Sequence, residues 1–384
     1  MVLKGLKELQ AEVIDTGLCV NCGACQNLCP YWLSHKGRTY NLFSCSRETG
    51  LCYAFCPRTE TNISDLSAKF FDKNSIVAEL GPFKDLLLTR ATNSEIRSKS
   101  QHGGTVTALV ELALKEGYID AAVMTRSEGG INPQSVLISN PRDVQKCSGS
   151  SFQISPTISI LNQALKENQY KKIGVVGAPC QTMATYKIKA MPFVENHNNA
   201  ENIGIVFGLF CGWGLDWSGL EQLVTIKAGD SKLKRIDIPP SKYSIMELET
   251  MSEKIEVPLE QVNPIVKTPC NYCLDMTAEF SDLSIGGARS SEGWEVDRGW
   301  NQVIVRSELG ENLIKLAKDK GVLEFRNIEK GTLDKLKKAS LNKKIKALKA
   351  IINKTGQKND LLYLNPDDSK LQDILSTVIA KEGN

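Results

Sequence analysis

Seven of the chain's 12 cysteines fall between Cys19 and Cys56, and the first four constrain the fold most. Cys19, Cys22, Cys25 and Cys29 make a C-x2-C-x2-C-x3-C run closed by Pro30. In such a run three thiolates wrap one iron–sulfur cube while the fourth crosses to a second cluster. A second half should therefore follow, and it does in altered form: Cys45, Cys52 and Cys56, the last again before a proline, Pro57. By this logic Cys56 completes the first cluster with Cys19, Cys22 and Cys25, leaving Cys29, Cys45 and Cys52 for the second. Two [4Fe-4S] clusters take four thiolates each, one more than this region holds. The second cluster is then a [3Fe-4S] form, or its last bond comes from a non-cysteine group such as Glu48 or a distant cysteine such as Cys147. Structural zinc would call for Cys-x2-Cys pairs separated by a loop, which is a different spacing.

The rest of the composition narrows the class. A chain of 384 residues, 41% apolar and 24% charged, has room for two to three domains of roughly 150 residues. The formal net charge of +3 offers no basic field for nucleic acid. The longest uncharged apolar run, Ile203–Leu215, is shorter than the roughly 17 residues needed to span a bilayer. No basic stretch followed by an apolar segment opens the chain, so the expectation is a cytoplasmic protein without a secretory signal. In a reducing compartment, clustered cysteines bind metal or do redox work more often than they form disulfides. With three histidines (His35, His102 and His197), a His-rich metal site or a Ser-His-Asp triad is disfavoured.

Periodicity divides the chain further. Residues 1–63 are rich in cysteine and poor in apolar pattern, a small domain organised by ligands. Residues 64–84, ending in Gly81-Pro82, read as a linker. Residues 85–328 alternate strand and helix signals: strands at 84–89, 121–124, 172–177 and 203–210, helices at 103–115 and 155–165. That alternation points to an α/β layer with a mostly parallel or mixed sheet. Between about 233 and 260 shorter alternating runs suggest antiparallel strands. Strands at 283–285 and 303–305 and a helix at 313–320 close the layer. Residues 329–384 form a helical tail with nine lysines between Lys330 and Lys354. Leu341, Ile345, Leu348 and Ile352 stand there at helical spacing, a Lys-faced amphipathic helix lying on the body.

Four more cysteines share a logic. Cys180 and Cys211 follow apolar strands, so both fall at the carboxyl edge of a sheet, where α/β folds place ligands. Cys180 also opens a helix, whose first amides favour a thiolate. Cys270 and Cys273 make a two-ligand turn after Pro269. Together they supply four sulfurs, enough for one more cubane or one zinc, and the company they keep favours the cluster. Cys147 reads as structural. Gln101, His102, Gly103, Gly104 and Thr105 open a helix, a place where free amides suit phosphate and glycines admit a ligand; a plain tight turn fits equally. Ser148, Gly149, Ser150 and Ser151 form a second small-residue segment with the same two readings.

The stretches QHGGTVTALVELALKEG (101–117), SGSSFQISP (148–156), GAPCQTMA (177–184), LFC (209–211) and PCNYCLDMTAEFSDLSIGG (269–287) resemble the coenzyme F420 hydrogenase/dehydrogenase beta-subunit family. The cysteine-rich start resembles extended members that add two ferredoxin-like clusters. The resemblance implies an FAD-binding domain with its own [4Fe-4S] cluster on Cys180, Cys211, Cys270 and Cys273, making three clusters in all. It carries the flavin contacts onto Gln101, His102, Gly103, Gly104, Thr105 and Ser148, Gly149, Ser150, Ser151. Two departures stand out. Gly293-Trp294 is followed by an apparent insertion, Glu295–Gly299, where a substrate could be gated, and the second ferredoxin half is altered; His102 also stands where an acidic residue is often seen.

The expected fold is a small ferredoxin-like domain, then a mixed-sheet flavin-binding domain, then a helical tail. The expected function is hydride exchange between a diffusible carrier, coenzyme F420 or similar, and FAD. Single electrons would then pass through the clusters to a partner subunit of a hydrogenase-, dehydrogenase- or reductase-type complex. The cofactor does the chemistry, so no catalytic side chain is expected. The alternatives are an electron-transfer adaptor without a substrate site, and a reductase of a bulky organic molecule.

Overall fold

The computed structural model describes residues 4–191, 198–239, 244–289 and 294–380. His197 and Gly293 lie outside them. The body is built on an eight-stranded mixed sheet. Its strands are β3 (Asp85–Ala91), β4 (Ala121–Glu128), β5 (Ile131–Ile138), β6 (Ile173–Gly177), β7 (Ile203–Leu209), β11 (Leu283–Gly287), β12 (Asn301–Val305) and β13 (Leu323–Arg326). The order across the sheet is β13-β3-β12-β11-β7-β6-β4-β5. The four central strands β11, β7, β6 and β4 run parallel, and each flank continues antiparallel. All five residues of β6 are buried, as expected of a strand covered on both faces. Its Val175 faces one hydrophobic cluster and Val176 the other.

Helices cover the two faces. On one side lie α1 (Thr105–Lys115) and α5 (Glu308–Asp319), with Leu109, Val110, Leu313 and Ala317 fully buried. On the other lie α2 (Thr157–Glu167) and α3 (Pro179–Ala190), through Ile158, Leu161, Ala184 and Ile188. A second, three-stranded antiparallel sheet consists of β8 (Leu233–Asp237), β9 (Ile245–Thr250) and β10 (Lys254–Pro258). It shares a core with α4 (Trp217–Ala228).

The cysteine-rich start has little regular structure: a short helix at Leu6–Leu9, the hairpin β1 (Trp32–His35) and β2 (Arg38–Asn41), and one turn of helix at Leu51–Ala54. It docks firmly on the body. Val20, Cys22, Ala24, Ala54 and Phe55 belong to the same apolar cluster as α2 and α3. The Ile158 amide donates to the Cys22 carbonyl (3.0 Å), and Asn162 Nδ2 donates to the carbonyls of Ala24 and Gln26. Residues 64–84, read above as a linker, carry most of a capped helix, Ile63–Ala68, and bury Phe71 and Leu80.

The tail forms α6 (Thr332–Thr355) and α7 (Ser369–Ala380). Leu348 is fully buried, with Leu341, Ile345 and Ile352 packed beside it. Its lysines are not all solvated. Lys344 is buried in an ion pair with Glu279, and Lys343 Nζ donates to the Cys211 carbonyl at 2.7 Å.

Candidate functional site

The N-terminal loop wraps because three residues take left-handed backbone angles: Asn21 (φ 63), Gly23 (φ 90) and Asn27 (φ 59). Asparagine and glycine are the residues that adopt this region readily. The loop turns amides onto sulfur: Asn21 N–H donates to Cys19 Sγ and Arg58 N–H to Cys56 Sγ, both at 3.4 Å. Burial, reinforced by Cys56 and Cys19, pushes the Cys22 thiol up. Cys25 is raised by burial and then by Cys19, Cys22 and Cys56. Cys52 is raised by burial, with Cys29 and Cys45 among its charged neighbours. By these interactions Cys22 and Cys25 neighbour Cys19 and Cys56, and Cys52 neighbours Cys29 and Cys45; Cys25 also feels Cys52, so the two groups adjoin. Glu48 is exposed. Cys147 lies elsewhere, against the core under α1, with Arg126 and Asp143 as its charged neighbours.

Four cysteines of the body converge in the same way. β6 and β7 are adjacent and parallel, so the chain leaves them side by side, into Cys180 in the first turn of α3 and into Cys211. The turn at Thr268–Tyr272 brings Cys270, whose Sγ accepts the Gly214 N–H at 3.3 Å. Cys180 is raised by burial and by Cys22, Cys211 and Cys273. Cys211 is pushed up to about 12 by burial, against the opposing pull of Lys343. Cys22 thus neighbours Cys180, and the inner N-terminal group adjoins the body group. In both groups iron would have to displace protons from buried thiols. Among the described residues no three His, Cys, Asp or Glu side chains converge closely enough for a single metal ion.

Buried cations surround these two groups, and sequence reasoning did not find them. Arg58 is 4% exposed; its guanidinium lies over the Tyr363 ring (4.5 Å) and donates to the Pro269 carbonyl at 3.2 Å. Lys187, fully buried, donates to the Cys56 carbonyl and to the hydroxyls of Thr59 and Thr61. Lys267 donates to the Gly37 carbonyl at 2.7 Å, tying the N-terminal hairpin to the body. A cavity of about 60 Å³ lies between α3 and the tail, lined by Arg58, Cys180, Met183, Cys273 and Tyr363 among others.

The glycine turn sits at the end of β3. Gly104 has φ +76, and a Cβ on Gly103 would lie 2.9 Å from Arg90 Cβ and from Asn301 Oδ1. Packing alone therefore calls for both glycines. The Thr105 amide donates to Asn301 Oδ1 (3.2 Å), and its hydroxyl pairs with Thr89 at 2.8 Å. Around the turn the small-residue segment closes a polar network. Ser150 Oγ donates to Gln101 Oε1, Gln101 Nε2 donates to Asp237 Oδ1 at 2.7 Å, and the Ser148 hydroxyl pairs with that of Thr107 at 3.2 Å. Ser151 Oγ reaches the Gln153 carbonyl (3.4 Å), and Gly149 has φ +94 with little around it. His102 packs so close to Gly287 that a Cβ there would meet its Nε2 at 2.7 Å. Its Nδ1 is buried without a hydrogen-bond partner among the described residues, and burial holds the imidazole below its usual pKa.

The segment Glu295–Gly299 folds over this network. Arg298 pairs with Glu247 (2.5 Å) and with Asp237 (3.4 Å). Both carboxylates sit on the second sheet and are almost wholly buried. Asp237, Glu247 and Arg298 were missed from sequence because they are far apart in the chain, and the short alternating runs around β8 and β9 gave no sign that their carboxylates face Arg298.

Comparison with known proteins agrees with this layout. The family described as the C terminus of the coenzyme F420 hydrogenase/dehydrogenase beta subunit matches residues 170–331. The corresponding N-terminal family matches residues 86–162, and a 4Fe-4S binding domain matches residues 12–31. The chain is 32% identical to the coenzyme F420 hydrogenase subunit beta of Methanococcus voltae, covering 71% of this chain and 96% of that one. It is 27% identical to the coenzyme F420-dependent sulfite reductase of Methanocaldococcus jannaschii over 85% of this chain and 50% of that relative. A chain in the F420-reducing [NiFe] hydrogenase complex of Methanosarcina barkeri superposes with a TM-score of 0.65 at 29% identity, covering 73% of this chain and 96% of the other. These relatives are oxidoreductases or their subunits, and the chain belongs to the coenzyme F420 hydrogenase/dehydrogenase beta-subunit family.

Proposed function

We propose that this chain carries electrons between a diffusible hydride carrier of the coenzyme F420 type and a partner subunit of a redox complex. It would hold FAD beside the Gly103-Gly104 turn and three iron–sulfur clusters. The observation that carries the reading is that Cys22 and Cys180 lie in one buried apolar cluster, so that the body group of cysteines adjoins the inner N-terminal group. Flavin supplies exchange between two-electron and one-electron chemistry, and the clusters supply one-electron transfer.

The chain's own residues would do the holding. Cys180, Cys211, Cys270 and Cys273 fit one [4Fe-4S] cluster, and Cys19, Cys22, Cys25 and Cys56 a second. Cys29, Cys45 and Cys52 fit a third, as a [3Fe-4S] form or with a non-cysteine fourth ligand. Around the turn, Gln101, Ser148 and Ser150 offer hydrogen-bonding groups, and His102 Nδ1, which has no partner among the described residues, is a buried polar atom open to a ligand group. The Arg298 segment would close this place to water. The hairpin face beside the third group exposes Leu33, Tyr40, Leu42 and Phe43, consistent with a partner that covers them.

The test is anaerobic: quantify flavin and iron in the purified protein, then add reduced deazaflavin coenzyme and NADH separately while following the flavin band. Bleaching by the deazaflavin supports the reading. Flavin absent and not restored on reconstitution would overturn it. A second reading, an adaptor that passes electrons between proteins, is favoured by the closure of Arg298 over Asp237 and predicts a flavin that neither donor bleaches.

A further inference from the structure

Two independent geometric facts single out Arg58. Its backbone amide donates to Cys56 Sγ, a sulfur of the inner N-terminal group, while its side chain reaches the carbonyl that precedes Cys270 and lines one cavity with Cys180 and Cys273 of the body group. Its Nε is buried and has no hydrogen-bond partner among the described residues. A guanidinium 4% exposed stays charged, and burying such a charge costs several kcal/mol unless opposite charge answers it. The Tyr363 ring and one carbonyl are a modest answer for that cost.

We propose that Arg58 is a shared counter-charge of two adjoining iron–sulfur clusters, stabilising the reduced form of both and so raising their reduction potentials together. This rests on the cluster assignment made above. Lys343 acts on the body cluster alone, through its contact with the Cys211 carbonyl. Lys187 acts on the inner N-terminal cluster alone, through the Cys56 carbonyl. The outer group's Cys52 has Cys29 and Cys45 as its charged neighbours, so Arg58 is not expected to act on that cluster. Reduction adds negative charge to a cluster, so removing a nearby fixed cation destabilises the reduced form and moves the potential down.

The test is a redox titration of the intact, iron-loaded protein followed by EPR, comparing the wild type with Arg58→Gln, Arg58→Lys and Lys343→Met. Iron content and the wild-type spectrum report first on whether the clusters exist, which separates a failure of the assignment from a failure of this proposal. In Arg58→Gln two clusters should each shift their reduced-to-oxidised ratio at fixed potential by about tenfold toward oxidised, about 59 mV for a one-electron couple. The outer cluster should stay in place, and Arg58→Lys should recover most of the shift. Lys343→Met should move one cluster only. If Arg58→Gln fails to load iron, Lys343→Met and Lys187→Met decide the matter, each expected to shift a different single cluster. Unchanged potentials, or equal movement of all three clusters, would overturn the proposal.

Discussion

The cysteine-rich start and the α/β body reach stability by different means. The body encloses two apolar clusters on either side of its sheet, with Leu109, Val110, Ile158, Leu161 and Phe207 among the fully buried residues. The start has one small cluster of its own, in which Leu6, Leu9, Val13, Leu18, Trp32 and Tyr53 pack against the cysteines proposed as cluster ligands. A region whose core contains its own metal ligands gains folding free energy from metal binding, whereas the body gains its own from apolar burial. The difference teaches that loss of iron should dismantle one region and spare the other.

That contrast gives the largest expected effect. Anaerobic removal of iron should speed amide hydrogen exchange across residues 18–56 by roughly a hundredfold or more, while β6 and β7 remain protected. Equal loss of protection in those two strands would break the comparison. Next in size is Cys180→Ser, which should cost about four irons per chain, one cubane, and leave the N-terminal clusters' EPR signals in place. Cys147→Ser, at a cysteine outside all three groups, should leave iron content unchanged.

The same contrast explains what could be read from sequence. The cysteine groups could be proposed from sequence because cluster chemistry dictates ligand spacing locally, and Cys180 and Cys211 stood out because each follows an apolar strand. The central strands β6 and β7 announced themselves as continuous apolar runs. β5 was not assigned from sequence: its Asn132-Pro133 breaks the strand pattern, and proline is admissible there because the strand lies at the sheet edge. The lysines were misjudged most. Lys187, Lys267 and Lys344 look like surface charge in one dimension, and their burial depends on acceptors contributed from distant segments: the Cys56 and Gly37 carbonyls and Glu279. Arg298 is legible as an insertion residue, but its pairing with Asp237 across 61 positions is not.

A smaller effect probes the seam between the two regions. Gly23 has φ +90, and a Cβ there would lie 2.5 Å from the Pro156 carbonyl on the body. Gly17 has a similar angle, φ +73, with open space around it. Gly17→Ala should therefore cost the backbone term alone, about 1–2 kcal/mol. Gly23→Ala should cost more, because the seam must also open. Chemical denaturation of the two variants measures the difference. Equal destabilisation would mean that the start rests on the body without being locked to it.

The smallest effect lies in the body, at His102. Burial is the main cause of its lowered pKa, followed by the charges of Asp237, which opposes the shift, and Arg298, which adds to it. The unfolded chain therefore takes up a proton near pH 6.5 before the folded one does, and stability rises with pH across that range. His102 contributes no penalty above about pH 6.5, and its penalty grows as pH falls below that value, by about 1.4 kcal/mol for each unit separating the two pKa values. Lys187, lowered by burial to about 8, titrates above this window. Thermal unfolding of the wild type and His102→Gln between pH 7 and pH 5 isolates the term: the difference between their melting temperatures should narrow or invert toward acid. A pH-independent difference would mean that His102 is matched by a charge in the folded state. The unpartnered Nδ1 would then be answered from within the protein, and the turn would lose its most specific mark as a place for a ligand.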